Sequence, residues 1–116
     1  MKAAVRHFIS PDIDLSDFNP ADPRDFSFLL QALIGPVDSE GEESLQFVVC
    51  TPRHLERRLE SEDVIMGRSL VIVNSTDVQH ILRVLTTRIE RSEAETWSKL
   101  TAHLARLGIA EFEDYL

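Results

Sequence analysis

The sequence predicts an α+β protein in which an antiparallel or mixed sheet of about four strands is packed, mainly on one face, by two or three helices. Two observations lead to this prediction. The first half of the chain holds β-rich runs between turn residues, and the second half holds segments whose apolar residues recur every three or four positions. At 116 residues, the chain has a common domain length, so we expect one domain over residues 1–116.

Three β-rich segments come before the first predicted helix. Residues 2–9 form the first strand, and turn-forming aspartates and prolines then predict an ordered loop over residues 12–23. The segments 25–34 and 45–50 are separated by an acidic connection that contains glycine. We expect these two segments to pair as an antiparallel hairpin.

Helix and strand signals alternate from residue 51 onward. Thr51 followed by Pro52 is typical of an N-cap and the first helical position, which predicts a helix from Pro52 to about Glu60. The β-branched run over residues 69–73 favours a central strand.

Two amphipathic helices are predicted after that strand. Thr76 with Gln79, and Ser92 with Glu95, have the spacing of a capping box at a helix start. The apolar stripes consist of Val78, Ile81, Leu82, Leu85 and Ile89 in the first helix, and of Trp97, Leu100, Leu104 and Leu107 in the second. Helices on one side would leave the other sheet face or an edge partly free, where a binding protein can place its interface.

The charge of the chain favours a basic partner. The net charge is −8, from 20 acidic and 12 basic side chains, which disfavours nucleic acid and anionic membranes as partners. Much of the excess lies in two segments, residues 38–49 and 108–116. In the second segment, Phe112 and Tyr115 interleave with the acids, which fits either packing against the core or an exposed aromatic patch.

No motif in the sequence predicts catalysis, a cofactor or a metal. The chain has no phosphate-binding glycine loop, no dinucleotide fingerprint and no closely spaced metal ligands, so we expect none of these sites and no enzyme. Cys50 with His54 or His80 keeps open a small cysteine-dependent hydrolase or redox enzyme. Burial of Cys50 at the end of an apolar strand is the simpler interpretation. A self-assembling structural subunit is a further alternative, and the oligomeric state stays open.

The N-terminal segment predicts a cytoplasmic protein. Lys2, Arg6 and His7 interrupt the apolar residues there, so the segment lacks the apolar core of a signal peptide. No later segment approaches the roughly 20 apolar residues that span a bilayer, and we expect no membrane partner.

Several short motifs occur in a fixed order along nearly the whole chain. They are Ile34-Gly35-Pro36, an acidic glycine loop, Phe47-Val48-Val49-Cys50-Thr51-Pro52, Gly67-Arg68, Trp97 and Glu111-Phe112-Glu113-Asp114-Tyr115. This series resembles the immunity protein 8 family of bacterial polymorphic toxin systems. The resemblance implies a single immunity-type domain that neutralises a cognate toxin by direct binding in the cytoplasm.

Charge adds a hypothesis about that toxin. An acidic inhibitor suits a basic nuclease, because carboxylates can imitate the charge of a phosphate substrate and speed association. We then expect the two acidic segments to steer and pair with the toxin, with the tail aromatics as apolar anchors. The candidate partner-binding residues are Asp38, Glu40, Glu42, Glu43, Glu111, Phe112, Glu113, Asp114 and Tyr115.

Overall fold

A computed structural model describes residues 1–110, which form a mixed five-stranded sheet with three helices. The α+β class predicted from the sequence is confirmed. The strands are β1 (Ala3–Ile9), β2 (Ser27–Pro36), β3 (Glu43–Cys50), β4 (Leu70–Ile72) and β5 (Ile109–Ala110). The helices are α1 (Pro52–Glu62), α2 (Val78–Glu90) and α3 (Trp97–Leu104). Within residues 1–110, no helix is both long enough and apolar enough to cross a membrane.

The sheet is built around the β2–β3 hairpin. The two strands pair antiparallel from Ser27 opposite Cys50 to Ile34 opposite Glu43, so the predicted hairpin is confirmed. β1 pairs antiparallel with the other side of β2. The outer side of β3 is shared, because β4 pairs with its second half and β5 with residues 45 and 46.

The run over residues 69–73 is an edge strand, so the expectation of a central strand was wrong. Within residues 1–110, Leu70–Ile72 are the part of this run that pairs, in parallel, and β3 is their one partner. Ile72 is 58% exposed. β-branched residues favour a strand, but they do not fix its place in the sheet.

One face of the sheet carries the core, because alternate side chains of β2 and β3 point into it. The buried set comprises Phe28, Leu30, Ala32 and Ile34 from β2 with Leu45, Phe47 and Val49 from β3. The helices contribute Val78, Ile81, Leu85 and Ile89 from α2 and Leu100 and Leu104 from α3. The predicted stripe of α2 is therefore confirmed, and so is that of α3 except for Leu107, which follows the end of the helix and packs partly buried against the core. Burying one such large apolar side chain stabilises the fold by about 1.5–3 kcal/mol.

The starts of α2 and α3 differ from the predicted capping boxes. Asp77 caps α2, since its carboxylate accepts the backbone N–H of His80 at 3.1 Å. Thr96 caps α3, since its hydroxyl accepts the backbone N–H of Lys99 at 3.2 Å. Each helix thus begins later than predicted. Asp77 lies one residue after the predicted cap Thr76, Thr96 lies four residues after the predicted cap Ser92, and both residue types are equally good N-caps.

α1 lies on the sheet face opposite the core, because Cys50, whose side chain points away from the face of Phe47 and Val49, lies near Arg58 of α1. Thr51 caps it as predicted, accepting the backbone N–H of His54 at 3.3 Å. Arg57 forms an ion pair with Asp25, which precedes β2. No residue of α1 is buried. On the same side of the sheet, Gln31, Leu33 and Gln46 are only half-buried, so α1 does not cover this side completely.

Candidate partner-binding surface

The loop between β2 and β3 carries exposed acidic groups at one end of the sheet. Asp38, Glu40 and Glu42 are all exposed. Among the described residues, none of the three forms an ion pair. Their carboxylates therefore face solvent, and they can act on an approaching partner.

Arg6 fixes the shape of this loop, residues 37–42, which together with Glu43 we call the acidic hairpin. It occupies a β-bulge between Val5 and His7, and a bulge turns a side chain out of the regular alternation. One guanidinium nitrogen, Nη2, donates to the carbonyl oxygens of Pro36 and Ser39, both at 2.8 Å. The backbone of the loop is thereby held in place before any partner binds, which lowers the entropy cost of binding.

Two glycines permit this arrangement. A Cβ atom at Gly35 would collide with the carbonyl oxygen of Gly41 and with the guanidinium of Arg6. Gly41 itself has a φ of 121°, a conformation that side-chain-bearing residues rarely adopt. Gly35 thus permits the close approach of the loop to the bulge, and Gly41 permits the backbone conformation that the loop needs.

Glu43 differs from the other three acids of the hairpin. Its Oε1 accepts the indole N–H of Trp97 at 3.0 Å, and the residue is half-buried. Trp97 also packs against the core, so the interaction ties the start of β3 to α3. The structure thus gives Glu43 a role within the fold, while the side chains of Asp38, Glu40 and Glu42 form no hydrogen bond or ion pair with residues 1–110.

The sheet face opposite α2 and α3 is partly exposed beside the acidic hairpin. Strand register places Ile9, Gln31, Gln46 and Ile109 in one row across β1, β2, β3 and β5. The two isoleucines at the ends of this row are 43% and 38% exposed, and the glutamines between them are half-buried. His7 and Leu33 form the neighbouring row on the same face. We call these residues the open face: His7, Ile9, Gln31, Leu33, Gln46 and Ile109.

The predicted tail residues lie outside the described part of the chain. They are Glu111, Phe112, Glu113, Asp114 and Tyr115. The preceding residue, Ala110, pairs with Leu45, two positions along β3 from Glu43. Ala110, the last described residue, therefore lies toward the end of the sheet that carries the acidic hairpin.

Cys50 is poorly placed for the alternative cysteine chemistry. Its side chain is fully buried, and this burial raises the pKa of the thiol above its ordinary value of 9.0, against an opposing effect of the nearby Arg58. The reactive species is the thiolate, which is then scarce at neutral pH. His54 is tied to the N-cap through its backbone N–H, and its ring has no hydrogen bond to Cys50.

Comparison with known families decides how this surface is interpreted. The family model described as Immunity protein 8 matches residues 3–115. The chain belongs to the immunity protein 8 family. Neither the search of curated proteins nor the search of solved structures returns a match for it. For this immunity protein, the acidic hairpin and the open face are the candidate surfaces for a toxin partner.

Two parts of the immunity protein's surface were not identified from its sequence. The open face could have been predicted, because Gln31 and Gln46 interrupt the apolar residues on the non-core side of β2 and β3. The role of Arg6 has no such signal. A β-bulge and a contact across more than 30 residues of sequence produce it, and a single sequence does not reveal either.

Proposed function

We propose that this immunity protein neutralises its cognate toxin by binding it directly through the acidic hairpin and the open face. The observation that supports the proposal is a loop of three solvent-facing carboxylates, held in shape by Arg6, next to a partly exposed apolar sheet face. Inhibition by binding needs no catalytic group in the inhibitor. It needs affinity for the toxin and coverage of the toxin's working surface.

The two parts of this surface contribute differently. Exposed carboxylates accelerate the encounter with a basic protein, and their effect weakens as salt is added. Apolar side chains such as Ile9 and Ile109 slow dissociation, because water leaves them on binding. Gln31 and Gln46 offer amide groups that can form directional hydrogen bonds with one partner and not another.

The finer features of the partner are also proposals. The excess of acidic side chains supports a basic toxin, and a nuclease is the toxin class whose substrate charge these carboxylates would imitate. In this proposal Phe112 and Tyr115 are apolar anchors, with Glu111, Glu113 and Asp114 adding to the acidic hairpin. The complex forms in the cytoplasm, where a toxin of this kind would reach its target.

The first experiment co-expresses the protein with the toxin domain encoded beside it and scores cell survival and co-purification. The proposal requires both protection of the cells and a stable complex. Loss of either, with the toxin shown to be active and the immunity protein folded, would contradict it.

The second experiment tests the acidic hairpin through association kinetics. In the variant D38K/E40K/E42K, we expect the association rate constant at low salt to fall by at least about tenfold, with a weaker salt dependence and little change in dissociation. The control D17K/E56K/E60K changes the net charge equally, but on exposed residues far from the hairpin. Equal effects of the two variants would show that net charge, and not the hairpin, guides the encounter.

A further inference from the structure

The outward side of α2 is basic, although the chain as a whole is acidic. Arg83, Arg88 and Arg91 are exposed, and the helical repeat places them within about 140° of the helix circumference. Within residues 1–110, none of the three guanidinium groups forms an ion pair. Glu90 is the acidic residue of α2, and its carboxylate accepts the backbone N–H of Val5 in β1. The charge of the arginines is therefore not compensated within the helix.

A shallow depression of about 320 Å³ lies between these arginines. Val84 lies in its lining and is 49% exposed, although it is apolar. The helix dipole favours arginines in the last turn, but Arg83 lies about two turns before the end of α2 and gains little from the dipole. We call this surface the arginine face: His80, Arg83, Val84, Thr87, Arg88 and Arg91.

The arginine face ends beside the acidic hairpin. The N–H of Ala94, four residues after α2, donates to the carbonyl oxygen of Met1 at 3.0 Å. The N–H of Val37, the first residue of the hairpin, donates to the carbonyl oxygen of Lys2, also at 3.0 Å. The segment after α2 and the start of the hairpin therefore both contact the two residues that precede β1. Patches of opposite charge thus lie side by side at one end of the molecule.

The two patches also match in their apolar content. Val37 is 57% exposed and is followed in the hairpin by three exposed carboxylates. Val84 is exposed among three arginines. Each patch thus combines charges of one sign with an exposed valine, which is the composition of an interface with an apolar centre and a charged rim.

We propose that the arginine face binds the acidic hairpin of a second copy of this chain, which forms a two-fold symmetric dimer. A two-fold interface requires a surface that is complementary to itself, and each contact in it is made twice. Neighbouring patches of opposite charge meet this requirement, because a two-fold axis between them places each hairpin on the arginine face of the other copy. Val37 of each copy then lies against Val84 of the other. The inference does not depend on the toxin-binding proposal.

A nucleic acid fits this surface less well than a second copy does. Its phosphates would pair with the arginines, but the acidic hairpin beside them repels a polyanion that extends past the arginine face. In the dimer, the same hairpin is the ligand. Exposed charge pairs contribute little each, so we expect a weak and reversible dimer that salt dissociates. The dimer covers the acidic hairpin, so a toxin that binds the hairpin must compete with the second copy.

Sedimentation velocity of the full-length protein at several concentrations measures the association. At low salt we expect a monomer–dimer equilibrium, and at high salt a dissociation constant larger by at least about tenfold. In NMR spectra recorded on dilution at low salt, the amide resonances of residues 37–42 and 80–91 should shift together, because the two patches leave each other in one step.

Two charge-reversed variants test the contact itself. In E40K/E42K the hairpin acquires the sign of the arginine face, and in R88E/R91E the arginine face acquires the sign of the hairpin. Each variant alone should dimerise at least about tenfold more weakly than the wild type, because like charges then meet twice. If R88E/R91E destabilises the fold, R83E/R88E replaces it, because it places less negative charge at the helix C-terminus.

The matched control for the hairpin variant is E56K/E60K, which makes the same charge change on exposed residues of α1. Its dissociation constant should stay within about threefold of the wild-type value, because α1 lies outside both patches.

The decisive measurement mixes E40K/E42K and R88E/R91E in equal amounts. Each altered hairpin then meets an altered arginine face, and each unchanged hairpin meets an unchanged one, so both contacts again join opposite charges. One chain gains the charge that the other loses, so the pair has the net charge of two wild-type chains. We expect a heterodimer whose dissociation constant lies within about threefold of that of the wild-type dimer.

Three results would overturn the inference. The first is a protein that stays monomeric at low salt up to its solubility limit. The second is a dimer that the variants do not weaken, or a mixture that stays monomeric, because either result places the contact elsewhere. The third is a single-stranded oligonucleotide that binds at the arginine face of a monomeric wild type, which would make a nucleic acid the occupant. These measurements contain no toxin, so their failure leaves the toxin-binding proposal unaffected.

Discussion

The hydrogen bond between Glu43 and Trp97 should couple the acidic hairpin to the stability of the core. The indole N–H lies 3.0 Å from Oε1, and both residues are half-buried. The perturbations are Glu43→Gln, which keeps the shape but removes the charge, and Trp97→Phe, which removes the donor. The two variants and their combination form a double-mutant cycle.

The expected energies follow from this geometry. A hydrogen bond to a charged group contributes about 1.5–3 kcal/mol when buried, and partial exposure reduces this to about 1–1.5 kcal/mol. A charged acceptor roughly doubles the strength of such a bond, so Glu43→Gln should cost about 0.5–1 kcal/mol. Trp97→Phe should cost more, about 1.5–2.5 kcal/mol, because it also removes ring area from the core.

Urea denaturation of the four proteins measures the free energies of unfolding. We expect a coupling energy of about 0.5–1 kcal/mol between the two positions. If the two substitutions add within about 0.3 kcal/mol, Glu43 does not hold α3, and its carboxylate is as available to the toxin as those of Asp38, Glu40 and Glu42. If the coupling is present, Glu43→Gln should reduce toxin association less than Glu42→Gln does.

Three further substitutions test the fold around the site. Gly35→Ala should destabilise the protein by about 1–3 kcal/mol, because the new Cβ atom collides with the loop and with Arg6. Gly67→Ala is the control and should not destabilise it, because a Cβ atom there meets nothing within 4 Å. Equal urea denaturation midpoints for the two variants would refute this prediction. Thr51→Ala should cost about 1–2 kcal/mol and Thr51→Ser much less in the same assay, because only the hydroxyl caps α1. The raised pKa of Cys50 means that the folded state retains its proton more tightly than the unfolded state. The contribution of the Cys50 thiol to the free energy of unfolding should therefore be complete below about pH 9 and should decrease as the pH rises further. The variant Cys50→Ala should lack this decrease. Identical dependence of stability on pH in the two proteins would contradict the reasoning.

Local sequence patterns were sufficient for most of the elements. The apolar segments 25–34 and 45–50, the proline after Thr51, and the spacing of Val78, Ile81, Leu85 and Ile89 each predicted an element that the structure contains. These signals are local, because side-chain periodicity and capping depend on neighbours within a few residues. The pairing of the two hairpin strands could also be predicted from the sequence, since the connection between them is short.

Features that depend on distant residues could not be predicted from the sequence. The edge position of β4 results from the crossover through α1, and nothing within residues 69–73 encodes it. The helix starts at Asp77 and Thr96 were missed because several adjacent residues can cap a helix, and packing selects among them. The hydrogen bond from Trp97 to Glu43 joins residues more than 50 positions apart, so Glu43 could not be separated from the other acids by sequence.

The net charge of −8 hides an arrangement that matters for recognition. Three exposed carboxylates lie on the acidic hairpin, whereas Arg83, Arg88 and Arg91 lie along the outward side of α2 and at its C-cap, so the surface carries patches of both signs. The C-terminal end of α2 is at the hairpin end of the sheet, because Glu90 accepts the backbone N–H of Val5 and Val5 pairs with Ile34. A basic partner that meets the hairpin gains from its carboxylates, and the same partner shifted onto the arginines meets like charge, which costs free energy and rejects that position.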